Sequence, residues 1–411
     1  MSNVPEIRFK GFTDAWEQRR FNDIIQNLTG GASIEPNDYQ NSGVRTIPKG
    51  AVNASGVADL SGSKFISETF FDKNKSSKVS TNDLVTSLRD LVPSAPNMGR
   101  IVRIVGCEED FLMPQGVYRI ELIDDTDEYF VISYSNSEKY RRIISAEKNG
   151  STQVHIRNGE FLNIEIPLCN PEEQTRIGTF FRTLDDTIAL YKRKLDALKR
   201  LKSGYLQQMF PQVEESVPKV RFEGFFDAWE TKKLGDLITL TVREVPKPSE
   251  PYKRLSIRSH AKGTFNQIVD DPSKVAMDSL YVVHENDLII NITFAWEHAI
   301  AIATQQDHGL LVSHRFPTYV IDKSDVNFLR ILVTQETFRQ KLDLISPGGA
   351  GRNRVLNKND FANLELIVPC IDEQDVIGRF FNVLDKQIAS QTQKLEQLGR
   401  FKGAYLQKMF I

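Results

Sequence analysis

EQTRIGTFFRTLDDTIA, residues 173–189, returns later in the chain as EQDVIGRFFNVLDKQIA, residues 373–389. Mostly apolar residues continue past both stretches in two interleaved rows with the seven-residue period of a coiled-coil seam. The rows are Ile177, Leu184, Tyr191, Leu198, Tyr205 with Phe181, Ile188, Leu195, Lys202, and Ile377, Leu384, Gln391, Leu398, Tyr405 with Phe381, Ile388, Leu395, Lys402. Each stretch therefore predicts a helix of about 38 residues, roughly 55 Å long.

The two helices carry matching start signals. Asn170 and Pro171 precede an acidic first turn in one helix, and Asp372 with Glu373 opens the other. Such residues cap a helix and offset its dipole. A single amphipathic helix can lie on its own domain, but two matched seams in one chain favour pairing. Because a variable body separates the helices in sequence, we predict an antiparallel coiled coil with approximate two-fold symmetry.

The ends of the helices and the start of each body repeat as well. VPEIRFKGFTDAWE (residues 4–17) matches VPKVRFEGFFDAWE (217–230), and YLQQMF (205–210) matches YLQKMF (405–410). The segments between these motifs differ between the copies. A solenoid would repeat every few tens of residues, so the pattern indicates a duplicated unit of domain size.

The variable bodies are predicted to be mixed α/β heads. Segments such as DLVTSL and YRIEL in the first, and NDLIINITFAW and PTYVI in the second, are short, rich in β-branched residues and bounded by turn residues. The predicted fold class is therefore α+β, with two heads separated by two long helices. A chain of 411 residues, 40% hydrophobic and 26% charged, has the length and composition of two globular domains.

Nothing in the sequence indicates a membrane segment or an export signal. No apolar run approaches the roughly 20 residues needed to cross a bilayer. The start, MSNVPEIRFK, has no basic region followed by an apolar stretch. Three scattered cysteines, Cys107, Cys169 and Cys370, suit a reducing compartment and are expected to be buried thiols. We therefore expect a cytoplasmic protein.

Catalytic signatures are absent from the sequence. It has no (D/N)PP(Y/F) tetrapeptide of adenine methyltransferases, no glycine-rich loop ending in GK(S/T) and no HExxH. The glycines of SPGGAGRNR, residues 346–354, are interpreted as a flexible loop. We therefore expect a binding module without catalytic residues and without a metal.

DNA readers need cations for phosphates and forked or amide side chains for base edges. The formal net charge is −2, so any anionic partner must meet a local patch. Each candidate alone is more often a solvated surface residue. The candidates are Arg45, Lys49, Lys64, Lys75, Lys78, Arg89, Asn97, Arg100, Arg141 and Arg142 in the first head, and Lys253, Arg254, Arg258, Lys262, Trp296, Arg315, Arg352, Asn353, Arg354 and Lys358 in the second.

Taken together, the repeated motifs resemble those of the specificity subunits of type I restriction-modification systems. The resemblance spans essentially the whole chain and rests on the paired VPxxRFxGFxDAWE openings, the P…EQ entry into each helix, the FF…LD steps and the YLQxMF endings. It implies target recognition domains at 1–165 and 212–367, with spacer helices at 166–211 and 368–411.

Membership of that family implies a division of labour among subunits. Each target recognition domain would read one half of a bipartite, asymmetric DNA site. The coiled coil would set the spacer length and dock two copies of a DNA methyltransferase subunit, with restriction and translocase subunits added outside. S-adenosylmethionine, ATP and Mg would belong to those partners, and this chain would carry no cofactor.

Two other functions fit the composition. One is a two-headed scaffold that holds two copies of a protein partner without DNA specificity, and the other is a hydrolase with an unmarked site. Steep salt dependence of duplex binding would argue against both. Gln391, which stands where the first helix has Tyr191, either fixes the register of the seam or contacts a partner.

Overall fold

A computed structural model describes residues 4–106, 109–212, 215–346 and 354–411. The chain divides into a first unit, Met1–Lys194 with Gln391–Ile411, and a second unit, Leu195–Ser390. The predicted long helices are α6 (Pro171–Gln208) and α10 (Ile371–Lys408), each of 38 residues. The α+β class with two sheet-bearing regions and two long helices is therefore confirmed.

The first unit begins with short strands and helices that precede α6. Its strands are β1 (Glu17–Arg20), β2 (Ile25–Gly30), β3 (Tyr39–Gln40), β4 (Val44–Thr46), β5 (Phe65–Ile66), β6 (Lys78–Ser80), β7 (Leu84–Ser87), β8 (Arg89–Asp90), β9 (Ile101–Arg103), β10 (Asp110–Leu112), β11 (Val117–Leu122), β12 (Val154–His155) and β13 (Glu165–Leu168). Its shorter helices are α1 (Phe21–Ile24), α2 (Glu68–Lys73), α3 (Glu128–Asn136), α4 (Glu138–Glu147) and α5 (Asn158–Leu162).

The second unit repeats this order in shorter form. Its strands are β14 (Glu230–Lys233), β15 (Ile238–Thr241), β16 (Glu244–Pro246), β17 (Tyr252–Ile257), β18 (Thr264–Val269), β19 (Ser279–Val282), β20 (Leu288–Ile290), β21 (Ile300–Ile302), β22 (Leu311–Val312), β23 (Thr318–Ile321) and β24 (Glu365–Val368). Its shorter helices are α7 (Val326–Val333), α8 (Glu336–Ile345) and α9 (Lys358–Ala362). Short 3₁₀ turns span Pro36–Asp38, Lys75–Ser77, Leu234–Asp236, Pro272–Lys274, Ala295–Glu297 and Gln305–Asp307.

Each unit pairs a four-stranded sheet with a five-stranded one. The first has orders β2-β11-β7-β9 and β3-β5-β4-β10-β6, and the second has β15-β23-β20-β21 and β16-β19-β22-β17-β18. Two-stranded ribbons, β1-β13 and β14-β24, join the repeated openings to the strands that lead into α6 and α10. The predicted strand NDLIINITFAW ends at Ile290, and its aromatic end forms a 3₁₀ turn instead.

A buried ion pair fixes the repeated opening to the start of α6 in the first unit. Arg8 donates two hydrogen bonds to Glu173, at 2.6 and 2.7 Å, and the Glu173 side chain is fully buried. In the second unit Arg221 and Glu373 form the same pair at the same two distances. The hydrogen bonds that the arginines donate to these carboxylates raise the pKa of both arginines. The pairing explains why RF in each opening accompanies EQ at each helix.

The glutamine beside each buried glutamate joins three segments. Gln174 donates to the backbone oxygen of Cys169 at 2.8 Å and accepts from the backbone N–H of Asp127 at 3.1 Å. Gln374 makes the corresponding bonds in the second unit, accepting from the N–H of Asp325 at 3.1 Å. The two aspartates cap α3 and α7, so each glutamine holds the start of a short helix against the start of a long one.

A glycine in the first turns of each long helix permits this approach. A Cβ added at Gly178 would lie 2.1 Å from Asp127 Oδ1, and one added at Gly378 would lie 2.3 Å from Asp325 Oδ1. Both distances are far below van der Waals contact, and the atoms belong to capping aspartates that are already hydrogen-bonded. The glycine in the repeated EQxxIGxFF motif is therefore required by packing.

The end of α10 completes the core of the first unit. Tyr405 packs edge-on against Phe180 at 5.1 Å between ring centroids, and Phe410 stacks on Phe181 at 5.7 Å. Lys402 forms an ion pair with Asp185 at 2.5 Å. Because residue numbers rise along α6 as they fall along α10, the two helices run antiparallel in this unit.

The end of α6 does the same in the second unit. Tyr205 packs against Phe380 at 5.0 Å, and Phe210 contacts Trp229 at 5.8 Å. Lys202, which occupies a seam position, forms an ion pair with Asp385 at 2.5 Å. Each YLQxMF motif is thus the end of one helix packed beside the start of the other.

The seam positions are buried or half-buried along both helices. This holds for Ile177, Phe181, Leu184, Ile188, Tyr191, Leu195, Leu198, Ile377, Phe381, Leu384, Ile388, Leu395 and Leu398. Gln391 is half-buried, and its Oε1 is buried without a hydrogen-bond partner among the described residues. Its backbone continues the helix, so the polar side chain is accommodated without a break in α10.

The cysteines only partly follow the sequence prediction. Cys169 is buried beside Glu173, and burial raises the pKa of its thiol. Cys370 is exposed, so the prediction of a buried thiol is wrong there, because the residue lies outside the ribbon just before α10. Cys107 lies outside the described residues.

We expect Gly178→Ala to destabilise the first unit by about 3 kcal/mol, because the new Cβ displaces the cap of α3 and strains the packing around it. The matched control is Gly204→Ala in the same helix, where an added Cβ meets nothing within 4 Å. Removing that glycine should raise helix stability by up to about 1 kcal/mol. Denaturant midpoints of the full chain, followed by circular dichroism, measure both changes. Equal effects at the two sites would contradict the packing argument.

We expect Glu173→Gln to destabilise the chain by about 3 kcal/mol or more, since it leaves the buried Arg8 guanidinium without its counter-charge. Glu172→Gln is the control, because that residue forms an exposed pair with Arg176 and should change stability by less than about 0.5 kcal/mol.

Replacing both partners by methionine, as Arg8→Met with Glu173→Met, should recover most of the lost stability because no charge is then left buried. The same denaturant midpoints report the result. A double variant as unstable as Glu173→Gln would show that the buried charge is not the cause.

Candidate nucleic-acid interface

A polar cleft of 490 Å³ lies in the first unit and brings together predicted and unpredicted side chains. Three of the predicted DNA-binding residues line it: Lys49, Arg89 and Asn97. Sequence reasoning missed five further polar or charged residues that line it, namely Ser87, Asp90, Gln115, Gln153 and His155. These eight residues define the first cleft.

The floor of the first cleft is a crossing of three backbone segments. The N–H of Leu88, just after β7, donates to the oxygen of Gly116 at 3.1 Å. The N–H of Ile156, just before α5, donates to the oxygen of Leu88 at 3.0 Å. Leu88 and Ile156 are buried, so they anchor the exposed residues beside them. This first crossing holds together segments that are far apart in sequence.

The second unit contains the same crossing. The N–H of Ile292 donates to the oxygen of Arg315 at 3.0 Å, and the N–H of Leu356 donates to the oxygen of Ile292 at 2.8 Å. Ile292 follows β20, Arg315 precedes β23 and Leu356 precedes α9, as their counterparts do in the first unit. The second crossing thus has an equivalent backbone with different side chains.

Arg89 occupies the rim of the first cleft on β8, where it pairs with His155 on β12. Its stem lies against the backbone of Gly116, since a Cβ added there would lie 3.1 Å from Arg89 Cδ. Gly116 has φ +96°, a backbone conformation that favours glycine. The glycine therefore both forms the turn and leaves room for the arginine.

Aromatic and cationic side chains surround the second crossing. Arg354 lies over the ring of Trp296 at 5.3 Å and forms an ion pair with Asp343 at 3.0 Å. Asn291, which is buried, accepts a hydrogen bond from the N–H of Thr293 at 3.1 Å. The predicted residues Arg352 and Asn353 lie outside the described residues.

Several predicted DNA-binding residues use their donors within the protein. Their ion pairs and hydrogen bonds run from Arg45 to Glu109, Lys75 to Asp72, Lys78 to Asp110, Arg142 to Glu138, Arg254 to Gln267 and Arg258 to the oxygen of Thr264. Lys64 lies over the Tyr39 ring at 4.7 Å. These side chains are held by contacts within the heads.

Arg100 and Arg141 hold the loop that borders the first cleft. Arg141 donates to the backbone oxygens of Met98 and Ala95, and Arg100 donates to that of Pro96 at 2.9 Å. Burial lowers the pKa of Arg100 to about 10, which still leaves it charged near neutrality. Both arginines position Asn97 rather than project into open solvent.

A smaller group of predicted residues keeps its charged end exposed. Lys49, Arg89, Lys253, Lys262, Arg315 and Lys358 are exposed, and no hydrogen bond or ion pair of their charged groups to another described residue is found. Exposed and uncommitted donors are those available to an anionic ligand. The amides of Gln115 and Gln153 were not predicted, because neither has a lysine or arginine within three residues in the sequence.

Among the described residues there is neither a metal-binding cluster nor a membrane-spanning helix. They contain no group of three or more histidine, cysteine or acidic side chains placed to hold a metal ion. None of the helices described is both long enough and apolar enough to span a bilayer.

Comparisons with known proteins agree with the sequence resemblance. The family model described as type I restriction modification DNA specificity domain matches residues 13–200 and 227–400. The putative type I restriction enzyme MjaX specificity subunit of Methanocaldococcus jannaschii is 18% identical over 97% of this chain and 94% of its own length. The MjaVIII specificity subunit of the same organism is 22% identical over 46% of this chain and 43% of its own.

A solved structure shares the fold. The S subunit of a type I restriction-modification system from M. genitalium aligns over 99% of both chains with a TM-score of 0.63 and 14% sequence identity. The family match covers two separate regions that together make up most of this chain. The resemblance inferred from the repeated motifs is confirmed, and the chain belongs to the family of type I restriction modification DNA specificity domains, which recognise DNA sequence.

Proposed function

We propose that this chain reads a bipartite, asymmetric DNA sequence, one half with each of its two units. The observation that carries the proposal is the pair of equivalent crossings. The same two backbone hydrogen bonds hold Leu88 in one unit and Ile292 in the other. The side chains that these crossings present are different.

A shared frame with unlike side chains suits the reading of unlike half-sites. The frame sets where a side chain meets the duplex, and the side chain sets which base edge it can bond. The first crossing presents Arg89 and the amide Gln115, whereas the second presents Thr293 and Arg315. Two identical sets would read a symmetric site instead.

The chain is proposed to supply recognition and to leave chemistry to partner subunits. The repeated DAWE tetrapeptides, residues 14–17 and 227–230, support docking of two copies of one partner. Burial explains the tryptophans Trp16 and Trp229, but the Asp, Ala and Glu of both tetrapeptides are exposed. Identity at exposed positions is not required by packing, so it fits two copies of a shared partner surface.

The partners proposed are two DNA methyltransferase subunits, with restriction and translocase subunits in addition. S-adenosylmethionine, ATP and Mg would bind to those partners, and this chain would hold no cofactor of its own. The helices α6 and α10 would set the spacer between the half-sites. A cytoplasmic location is proposed with this role on DNA.

We expect the full chain, selected against a pool of randomised duplexes, to enrich one split motif with two unlike halves. Affinity for that motif should fall by roughly three orders of magnitude between about 50 and 200 mM salt, because cations that bind phosphates release counterions. A protein scaffold without DNA specificity would enrich no motif. Weak binding whose affinity does not change with salt concentration would also contradict the proposal.

We expect a heptad inserted into both α6 and α10 to widen the unspecified gap by about three base pairs, since seven helical residues add roughly 10 Å. Insertion after Asp196 and after Glu396, two exposed positions, keeps both seams in phase. The bases of both halves should stay the same. The control is the same insertion in α6 alone, which breaks the pairing and should abolish the motif. A changed half-site sequence with an unchanged gap would contradict the proposal that the helices set the spacer length.

A further inference from the structure

We propose that Arg89 in the first unit and Arg315 in the second each read a guanine, one in each half of the DNA site. The inference rests on the proposed function, because it names the side chains that carry its sequence preference. It also predicts that the two arginines act independently. Each would set one base position in one half-site.

The first argument is that these two arginines have uncommitted donors. Among the predicted DNA-binding arginines that the structure describes, the others donate to acidic, amide or backbone partners within the protein. Arg89 and Arg315 are exposed, and for their guanidinium groups no bond to another described residue is found. Five N–H groups on each remain for a ligand.

The second argument is that Arg89 is held before a ligand arrives. Leu88 and Ile156, each buried, anchor the strands on which Arg89 and His155 stand. The aliphatic stem of Arg89 packs against Gly116, which limits rotation of the Arg89 side chain toward that turn. A fixed stem with a free fork loses less conformational freedom on binding than a mobile side chain.

The third argument is a reciprocal exchange between the two crossings. In the first unit Arg89 follows the buried Leu88, whose backbone N–H donates to the oxygen of Gly116 in a turn. In the second unit the corresponding residues are Thr293 and Arg315. One arginine is present in each crossing, but Arg89 stands on β8 and Arg315 stands in the turn before β23. The fork is retained while the point from which it reaches the duplex changes.

The ligand follows from the shape of the donor. A guanidinium fork matches the O6 and N7 acceptors of guanine in the major groove, and this is the commonest base-specific contact. Phosphate oxygens also accept from a guanidinium fork, so the other side chains of the cleft are what favour a base as the ligand. The amides of Asn97, Gln115 and Gln153 line the same cleft as Arg89, and amides read adenine edges. The first cleft therefore has the chemistry of a base reader.

The test substitutes lysine for each arginine, which keeps the charge and removes the fork. Full-length wild-type chain, Arg89→Lys and Arg315→Lys are each selected against the same randomised duplexes, and the enriched sequences are compared. We expect Arg89→Lys to lose preference for guanine at one position of one half by about tenfold or more, with the other half unchanged. Arg315→Lys should do the same in the other half. Both residues are exposed, so the variants should fold, and circular dichroism checks this.

The control is Arg339→Lys, a partly exposed arginine on α8 that is paired with Glu336 and should leave the motif unchanged. Three results would overturn the inference while the proposed function stands: equal weakening of all sequences, which indicates phosphate contacts; loss at the same half-site for both variants; or altered positions that are not guanine. If the wild-type chain enriches no motif, the proposed function fails and the inference fails with it.

Discussion

Both units depend on the ion pairs of two buried carboxylates, Glu173 with Arg8 and Glu373 with Arg221. A carboxylate without solvent must be paired, and each finds an arginine from an opening more than 150 residues away in sequence. The glutamine that follows each one accepts a hydrogen bond from the backbone of the aspartate that caps a short helix, and a glycine four residues after the glutamine leaves room for that cap. A substitution at any of these positions would leave a buried unpaired charge or a steric clash, which explains why the two copies have the same residues there.

The heads vary because the surfaces proposed to read DNA carry no such constraint. The crossings at Leu88 and Ile292 are held by backbone hydrogen bonds and buried apolar side chains, and neither depends on the exposed residues next to them. Side chains at the rim can therefore change without loss of the fold. A frame that is fixed by burial and read through exposed neighbours can acquire a new sequence preference by few substitutions.

The sequence predicted the helices well and the clefts poorly, for physical reasons. Seven-residue periodicity is a local signal, and both helices have the predicted length. The first cleft joins segments near Leu88, Gly116 and Ile156, whose proximity depends on sheet pairing that no local pattern encodes. Charge found Lys49 and Arg89 but also selected Arg100 and Arg141, whose donors serve a neighbouring loop. Residue type identified candidates, and only the fold could separate them.

Duplication in one chain has a consequence for symmetry. A homodimer of a single unit would present two identical crossings and would be restricted to a palindromic site, because operator symmetry follows protein symmetry. Two units in one chain can keep equivalent backbones and still diverge, as Gly116 and Arg315 do at one position. The end of each long helix completes the core of a unit that the other helix begins, so neither unit is self-contained in sequence. Because each unit needs a helix end from the other half of the sequence, the two copies stay in one chain while the surfaces proposed to read DNA diverge in sequence.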